Sequence, residues 1–490
     1  MRKKIANILL TVLALLLCSA YLAATREYRK YPVLGREMIA NVTSLEDHRD
    51  ALAHWYGKGF RNAVLMNIDA HDDMKKIPPW QMAHVKLACR QQEGASGATR
   101  KPGHPLANGN FIHAAAKMGI IKRVIWVVPS SYDLFSDPAN RLQGLLTSYG
   151  FSDEDIGTFR LGKGSFSGTV DGIPLAICDS RSLPDLKEPI LLSIDVDFFP
   201  TMLDDYKLTI TDALKQTFSD LSGKGYAIMD ATVAYSVNGG YLDSCRRWVG
   251  ELIIDAVRIP SLLSRPRLPE RYVFLQRTDL LMQMKRYREL LMKLPEVPPG
   301  ETDPALLLYG AKAYQGMAKL DKAFHYAEMA CLRDNRYCGG LPELGLSILE
   351  KGEISQAERF FLRGYELSPE MDNGQFRLAM ALKKAGRYDK AIDYFRVFRK
   401  CYGPFPVDFY LAETCMLKGD DISARKYYDS GREELVGNPS ALNGFGDMAT
   451  LAKGAAFYDS KEETKYALQI RQLLQAKAGK ESFSTEPLLY

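Results

Sequence analysis

No C-x-x-C pair occurs anywhere in this sequence of 490 residues, although it holds eight cysteines, at positions 18, 89, 178, 245, 331, 338, 401 and 415. A zinc ribbon or a thioredoxin-type site is built on such pairs, so both are disfavoured. Several of these cysteines fall inside apolar, helix-like patterns, where a thiol behaves as a small apolar side chain, and they are read as buried free thiols. A strong charge of one sign is lacking too. The 64 basic and 59 acidic residues leave a net charge of +5. That bias is too weak to call for a nucleic-acid partner. At 46% hydrophobic and 25% charged residues, the composition is that of an ordinary globular protein. The length implies two or three domains.

At the N-terminus, a basic "MRKK" precedes "IANILLTVLALLLCSAYLAA", residues 5–24, which carries no charge. A positive start, an apolar core and small residues at the end fit a secretory signal, with Ala20 and Ala24 as cleavage points. The run is also long enough to span a bilayer as an uncleaved anchor. Both readings place residues 31–490 outside the cytoplasm, in the periplasm or tethered to the cytoplasmic membrane. Arg2, Lys3 and Lys4 stay inside.

From 31 to 258 the pattern alternates. "NAVLMNI" (62–68), "RVIWVV" (123–128), "PLAIC" (174–178), "PILLSI" (189–194) and "YAIMDATVAYS" (226–236) read as strands. Their near-continuous apolar character fits a sheet covered on both faces. "SLEDHRDALAHWYGKG", with Ser44 as N-cap, "NFIHAAAKMG", "YKLTITDALKQTFSDLSGKG" and "YLDSCRRWVGELIIDAVR" read as helices between them. The expected fold of this part is α/β, a mostly parallel sheet with helices on both faces. Residues 91–109 are polar and glycine-rich, a long loop. Residues 259–303 carry many prolines around one helix, "TDLLMQMKRYRELLMKL", and form the expected linker between domains.

Beyond 304 the sequence repeats. "LDKAFHYAEMA", "ISQAERFFLRG", "YDKAIDYFRVF" and "ISARKYYDSG" align on Ala323, Ala357, Ala391 and Ala424. Gly352, Gly386 and Gly419 precede the last three, and Pro369 and Pro439 close two units. A period near 34 with these residue types is the tetratricopeptide pattern. An all-α solenoid over 304–480 follows, with 440–480 as a capping helix pair. The aromatic stripe of Phe360, Phe361, Tyr394, Phe395, Tyr427 and Tyr428 is assigned to the core between repeats.

Two acidic clusters end the apolar strands. "NIDAHDDM" (67–74) brings Asp69, His71, Asp72 and Asp73, and "LLSIDVDFF" (191–199) brings Asp195 and Asp197. Residues alternate sides along a strand, so Asp69, His71 and Asp73 are expected on one face, as are Asp195 and Asp197. Carboxylates without basic partners repel, and a divalent cation relieves this. In parallel α/β sheets such groups collect at the carboxyl ends of the strands. The donor count suits two ions, and its carboxylate-rich chemistry favours manganese over zinc or iron.

"DAHDD" and "SIDVDFF" resemble the D-A-H-x-D and S-x-D-x-D metal motifs of the arginase/deacetylase superfamily. Together with "LEDHRDALAHWYGKG" and "NGNFIHAAAKMGIIKRVIWVVP", they resemble the UPF0489 family over roughly 31–260. Some members of that family are peptide arginases, which turn arginine within a peptide into ornithine and release urea. The resemblance implies an arginase-like fold and two Mn2+ ions. His48, Asp69 and Asp73 would serve the first ion and His71 and Asp197 the second, with Asp69 and Asp195 bridging. It implies a proton shuttle at His113 and a substrate-orienting Asn110. Asp72 has no assigned role, His54 and His84 are structural, and His104 is an alternative shuttle.

Three functions stay open. The first is a binuclear hydrolase acting on arginine side chains of a peptide or protein, with the repeats recruiting substrate or a protein partner. The second is a deacetylase-like amidohydrolase, since "NGGYLD" (238–243) is similar to the glycine-rich tyrosine loop of deacetylases and would put Tyr241 on the substrate. The third is a non-enzymatic repeat scaffold with a degenerate metal domain.

Overall fold

A computed structural model describes residues 31–77, 82, 85–87, 89, 108–149, 151–203, 208–237, 241–294, 303–369, 374–402, 405–437 and 447–481. The expected signal or anchor, most of the glycine-rich loop, His84 and His104 lie outside them. Among the described residues no helix is long and apolar enough to cross a membrane. The chain divides into two compact units between Arg286 and Tyr287, a point inside the proline-rich segment.

The first unit is built on strands β1 (Val42–Leu45), β2 (Ala63–Ile68), β3 (Ile121–Val127), β4 (Arg160–Leu161), β5 (Ser165–Val170), β6 (Ile173–Cys178), β7 (Ile190–Asp195) and β8 (Ile228–Ala234). They form one 8-stranded sheet in the order β1-β8-β7-β2-β3-β6-β5-β4. Pairing is parallel from β1 to β6, and β5 and β4 finish the far edge antiparallel. Every residue of β2 and β7 is buried, which requires cover on both faces. The helices are α1 (Asp50–Gly57), α2 (Phe111–Lys117), α3 (Pro138–Ser148), α4 (Asp153–Thr158), the single turn α5 (Phe198–Thr201), α6 (Ile210–Lys224), α7 (Arg247–Arg258) and α8 (Glu270–Gln283). Leu52 and Trp55 of α1 and Phe111 of α2 share one buried cluster with Leu65 and Trp126 of the sheet. Each such side chain contributes on the order of 1.5–3 kcal/mol by leaving water. Thr209 caps α6 through a reciprocal box with Asp212, and Gly225 ends it at φ 63.

One expectation fails here. Ser44 is not an N-cap. It lies inside β1, paired with Val233, and α1 starts at Asp50 instead. Its backbone is committed to the sheet edge, which the short stretch "VTSL" does not announce by apolar periodicity.

The second unit is helical. The expected single helix over 278–294 is two, because Lys285 takes φ 56 between the end of α8 at Gln283 and the start of α9 (Tyr287–Lys293). Five helix pairs follow. They are α10 (Pro304–Gly316) with α11 (Leu320–Arg333), α12 (Gly340–Glu350) with α13 (Ile354–Leu367), α14 (Gln375–Lys384) with α15 (Tyr388–Tyr402), α16 (Val407–Lys418) with α17 (Asp421–Gly437), and α18 (Met448–Ser460) with α19 (Thr464–Glu481). Ala323, Ala357, Ala391 and Ala424 are fully buried, and so is Ala467 of the fifth pair. Five residues ahead of each alanine the turn is left-handed, at Ala318 (φ 57), Gly352 (φ 82), Gly386 (φ 73), Gly419 (φ 87) and Glu462 (φ 60). A buried methyl at the crossing and a left-handed turn before it define each unit of this tetratricopeptide-type solenoid. Phe360, Phe361, Phe395 and Tyr428 are buried in it as core.

The cysteines correct one expectation. Cys331 and Cys338 are not free thiols but a disulfide, with Cα atoms 4.3 Å apart. The end of α11 and the turn at Asn335–Tyr337 bring them together, a closeness that sequence spacing alone does not report. Cys89, Cys178, Cys245 and Cys415 are free and buried.

Candidate metal centre

Four neighbouring strands, β1, β8, β7 and β2, deliver the site from their carboxyl ends. His48 follows β1, Ser236 follows β8, Asp195 ends β7 with Asp197 beyond it, and Asp69, His71, Asp72 and Asp73 follow β2. This is where ligands gather in open parallel sheets. The loop carrying His48 is tied to the frame by a buried Arg247, which donates to both carboxylate oxygens of Glu46. The hydroxyl of Ser236 donates to Asp195 Oδ2 at 2.7 Å.

Strand alternation does not explain the convergence. The strand ends at Ile68, and Asp73 sits at φ 51, so the loop bends and sends its side chains to two places. Nδ1 of His48 lies 3.0 Å from Asp69 Oδ2, 3.2 Å from Asp73 Oδ2 and 3.2 Å from Asp195 Oδ2. Nδ1 of His71 lies 3.5 Å from Asp69 Oδ1 and 3.2 Å from Asp197 Oδ2. Asp69 therefore belongs to both groups, and its two oxygens face different histidines. His48, Asp69 and Asp195 form one set of donors close enough to hold a single ion, and Asp69, His71 and Asp197 form a second.

His48 Nδ1, buried among three carboxylates, makes no well-aligned hydrogen bond, and neither does Asp197 Oδ1. Orphaned buried polar atoms are costly unless something is held between them. Adjacent ligands about 2.1 Å from an octahedral ion stand about 3.0 Å apart, close to the spacing around His48. The other face of that ring is fixed, with Nε2 2.8 Å from Ser193 Oγ, to which Thr232 Oγ1 donates at 3.1 Å. Orienting a ligand ring through its second nitrogen is a common feature of metal sites.

Electrostatics tells the same story without a metal. Burial pushes the His48 imidazole down, but Asp195, Asp69 and Asp73 together hold it well above its ordinary value. His71 is raised to about 12 by Asp197 and Asp69 against the pull of burial. Burial favours the neutral acid at Asp69, yet the two histidines hold it far below the usual carboxylate range. Burial and neighbouring carboxylates push Asp72 and Asp197 each up to about 7, and raise Asp73. In the metal-free protein, imidazolium rings supply the positive charge that the carboxylates demand.

A cavity opens onto these groups, lined also by Lys75, Gly109, Tyr149 and Tyr241. Asp72, which sequence reading left without a role, lines it as well. Tyr241 is exposed, and its ring stands edge-on to His71 with centroids 5.4 Å apart. A Cβ at 109 would come 3.2 Å from Lys75 Cδ, so a larger residue there would press the Lys75 chain aside by a few tenths of an ångström. Asn110 starts α2 and is not among the lining residues.

His113 is not in the cavity. Its Nδ1 accepts the Ile77 amide at 3.3 Å and its Nε2 lies 3.1 Å from Asp171 Oδ2. Burial lowers its pKa, with Asp171 opposing. The shuttle role implied by the resemblance has no support in this geometry. His54 pairs with buried Asp230 at 2.6 Å, a structural contact.

No family model matches the chain, and no curated protein is similar to it. Solved structures do resemble part of it. MamA matches with 20% identity and a TM-score of 0.24, covering 33% of this chain and 90% of that one. The C-terminal part of a TPR repeat-containing protein from Cytophaga hutchinsonii matches with 14% identity and a TM-score of 0.31, covering 42% and 82%. Pseudomonas aeruginosa pilF matches with 19% identity and a TM-score of 0.27, covering 43% and 92%. Likenesses this low say nothing about chemistry. The chain joins an α/β unit, in which two groups of side chains lie close enough together that each could hold a metal ion, to an α-helical repeat solenoid.

Proposed function

We propose that the α/β unit is a two-metal hydrolase of C–N bonds, acting on the guanidinium of arginine within a peptide or protein, and that the solenoid binds that polypeptide or a protein partner. The observation that supports it is buried Asp69, shared between two histidine–carboxylate pairs, His48 with Asp195 and His71 with Asp197, that line a cavity. Two divalent ions, Mn2+ by donor chemistry, would supply Lewis acidity and a water acidic enough to attack at neutral pH. His48, Asp69, Asp73 and Asp195 would hold one, and Asp69, His71 and Asp197 the other. The cavity's buried Asp72, Asp73 and Asp197 suit a cationic side chain by charge-assisted hydrogen bonding. Tyr241, exposed beside His71, is placed to contact the substrate.

Full-length protein loaded with Mn2+ should contain two ions per chain and release urea from arginine-containing peptides. Asp69→Asn should lose both ions and the activity, since both groups use this carboxylate. Well-folded protein that holds no divalent metal, and takes up none, sinks this reading. Acetyl-lysine peptides in the same assay test the amidohydrolase alternative.

A second reading is a repeat scaffold whose α/β unit performs no chemistry. The five regular helix pairs favour it, each with its buried alanine. It expects partner binding by Asp69→Asn protein to equal that of wild type and turnover to be nil in both.

A further inference from the structure

The loop that carries Asp69 and His71 has left the sheet, yet its backbone is held at three points by side chains from distant segments. Trp126 Nε1 donates to the Asp69 carbonyl at 2.9 Å. The hydroxyls of Tyr132 and Tyr149 both donate to the Ala70 carbonyl, each at 2.7 Å. A carbonyl oxygen has two lone pairs, and here both are used. The Trp126 and Tyr149 rings meet edge to face with centroids 5.4 Å apart, so the clamp is a packed unit.

The peptide held this way joins Asp69 to His71. The His48 side chain is 3% exposed and fixed by packing and Ser193, but that of His71 is 41% exposed. His71 is half exposed, with the Tyr241 ring edge-on to it, so its direction toward Asp197 depends more on the backbone that bears it. We propose that Tyr132 and Tyr149 are positioning residues for the cation site of Asp69, His71 and Asp197, and that the His48 site does not depend on them. This rests on the metal reading above. Tyr149 lines the cavity, but the hydroxyls of both tyrosines bond the Ala70 carbonyl rather than a donor, so each acts through the Ala70 peptide, as outer-shell partners do when they tune metal affinity roughly 10- to 100-fold.

The test uses the full chain carrying Tyr132→Phe, Tyr149→Phe or both, which keep the rings and remove only the hydroxyls. Mn2+ binding is followed by calorimetry and by electron paramagnetic resonance, with the Tm of metal-free protein as a control. Wild type should bind two ions and show the spectrum of a coupled pair. Each single variant should weaken one site about 10-fold and leave the other within about 2-fold. The double variant should show the spectrum of a lone ion, and so should His71→Ala. Two unchanged sites in the double variant overturn the inference and leave the metal reading standing. Equal weakening of both sites with a fallen metal-free Tm also overturns it, because the role is then merely structural. Wild type without metal overturns the metal reading and the inference together.

Discussion

His71 shows what a single residue reports about this centre. Its imidazole is raised to about 12, with Asp197 and Asp69 outweighing burial, so at neutral pH the metal-free protein carries it protonated. A group whose folded pKa lies above its unfolded value stabilises the fold fully below about 6.5 and loses that contribution as pH rises toward the folded value. Metal-free protein should therefore lose Tm steadily between pH 7 and 10. Manganese must displace the proton, so binding should release protons and tighten as pH rises. Thermal scans across that range in chelator and in Mn2+ check this, and a metal-free Tm flat from pH 6 to 10 would contradict it. Asp69, His71, Asp73, Asp195 and Asp197 were legible as candidate ligands because each lies within a few residues of a strand's carboxyl end, where charge interrupts an apolar run, whereas His48 follows the polar β1 and came only from the family resemblance. Tyr132, Tyr149 and Ser236 were not legible. They reach the same site from segments with no local pattern, and only the sheet order makes them neighbours.

Among the elements, the solenoid turns make a sharper statement than the helices. At the left-handed position the second, third and fourth pairs use glycine, but the first uses Ala318 at φ 57. A Cβ in that conformation costs about 1–2 kcal/mol, part of which returns as chain entropy when glycine replaces it. Ala318→Gly should stabilise the solenoid by about 0.5–1 kcal/mol, read as a higher urea midpoint; a lower midpoint refutes the argument. Glu413 of α16 makes a second case. Lys383 of α14 and Lys453 of α18 donate to its two oxygens, and against burial they hold it below its ordinary value. A depressed carboxylate stabilises above about pH 4.5 and loses that contribution as pH falls through its folded value. Glu413→Gln should flatten the acid limb between pH 5 and 3 and cost about 1 kcal/mol at pH 7. An unchanged pH profile removes Glu413 from the acid response. Four repeats were readable because the alanine recurs at a period near 34, with a glycine five residues ahead of three of them. The fifth was expected only as a capping helix pair and not as a repeat, because Glu462 stands where the turn glycine would be and Ala467 follows Ala424 by more than the period. The inner strands were readable as apolar runs, while β1, β4 and β5 are short or polar edge segments without that signal.

For the whole molecule, the bond between Cys331 and Cys338 bears on where the chain works. Disulfides persist in oxidising compartments and are rare in a reducing cytosol, which accords with the export expected of the basic, apolar N-terminal segment. The two features meet in one expectation. Chain recovered from its native source under thiol blocking should carry this pair oxidised. Cys89, Cys178, Cys245 and Cys415, all buried, should stay reduced and react only after unfolding. A loop this short contributes about 2–3 kcal/mol by restricting the unfolded chain. Reduction, or Cys331→Ser with Cys338→Ser, should therefore lower the Tm of the solenoid by several degrees. The metal centre lies in the other unit, so the same reduction should leave Mn2+ stoichiometry at its wild-type value. Peptide mapping with and without reductant, beside metal analysis of both samples, checks the expectation. A pair found reduced in native material would remove the disulfide as support for export. Loss of manganese on reduction alone would show that the two units are not independent in stability.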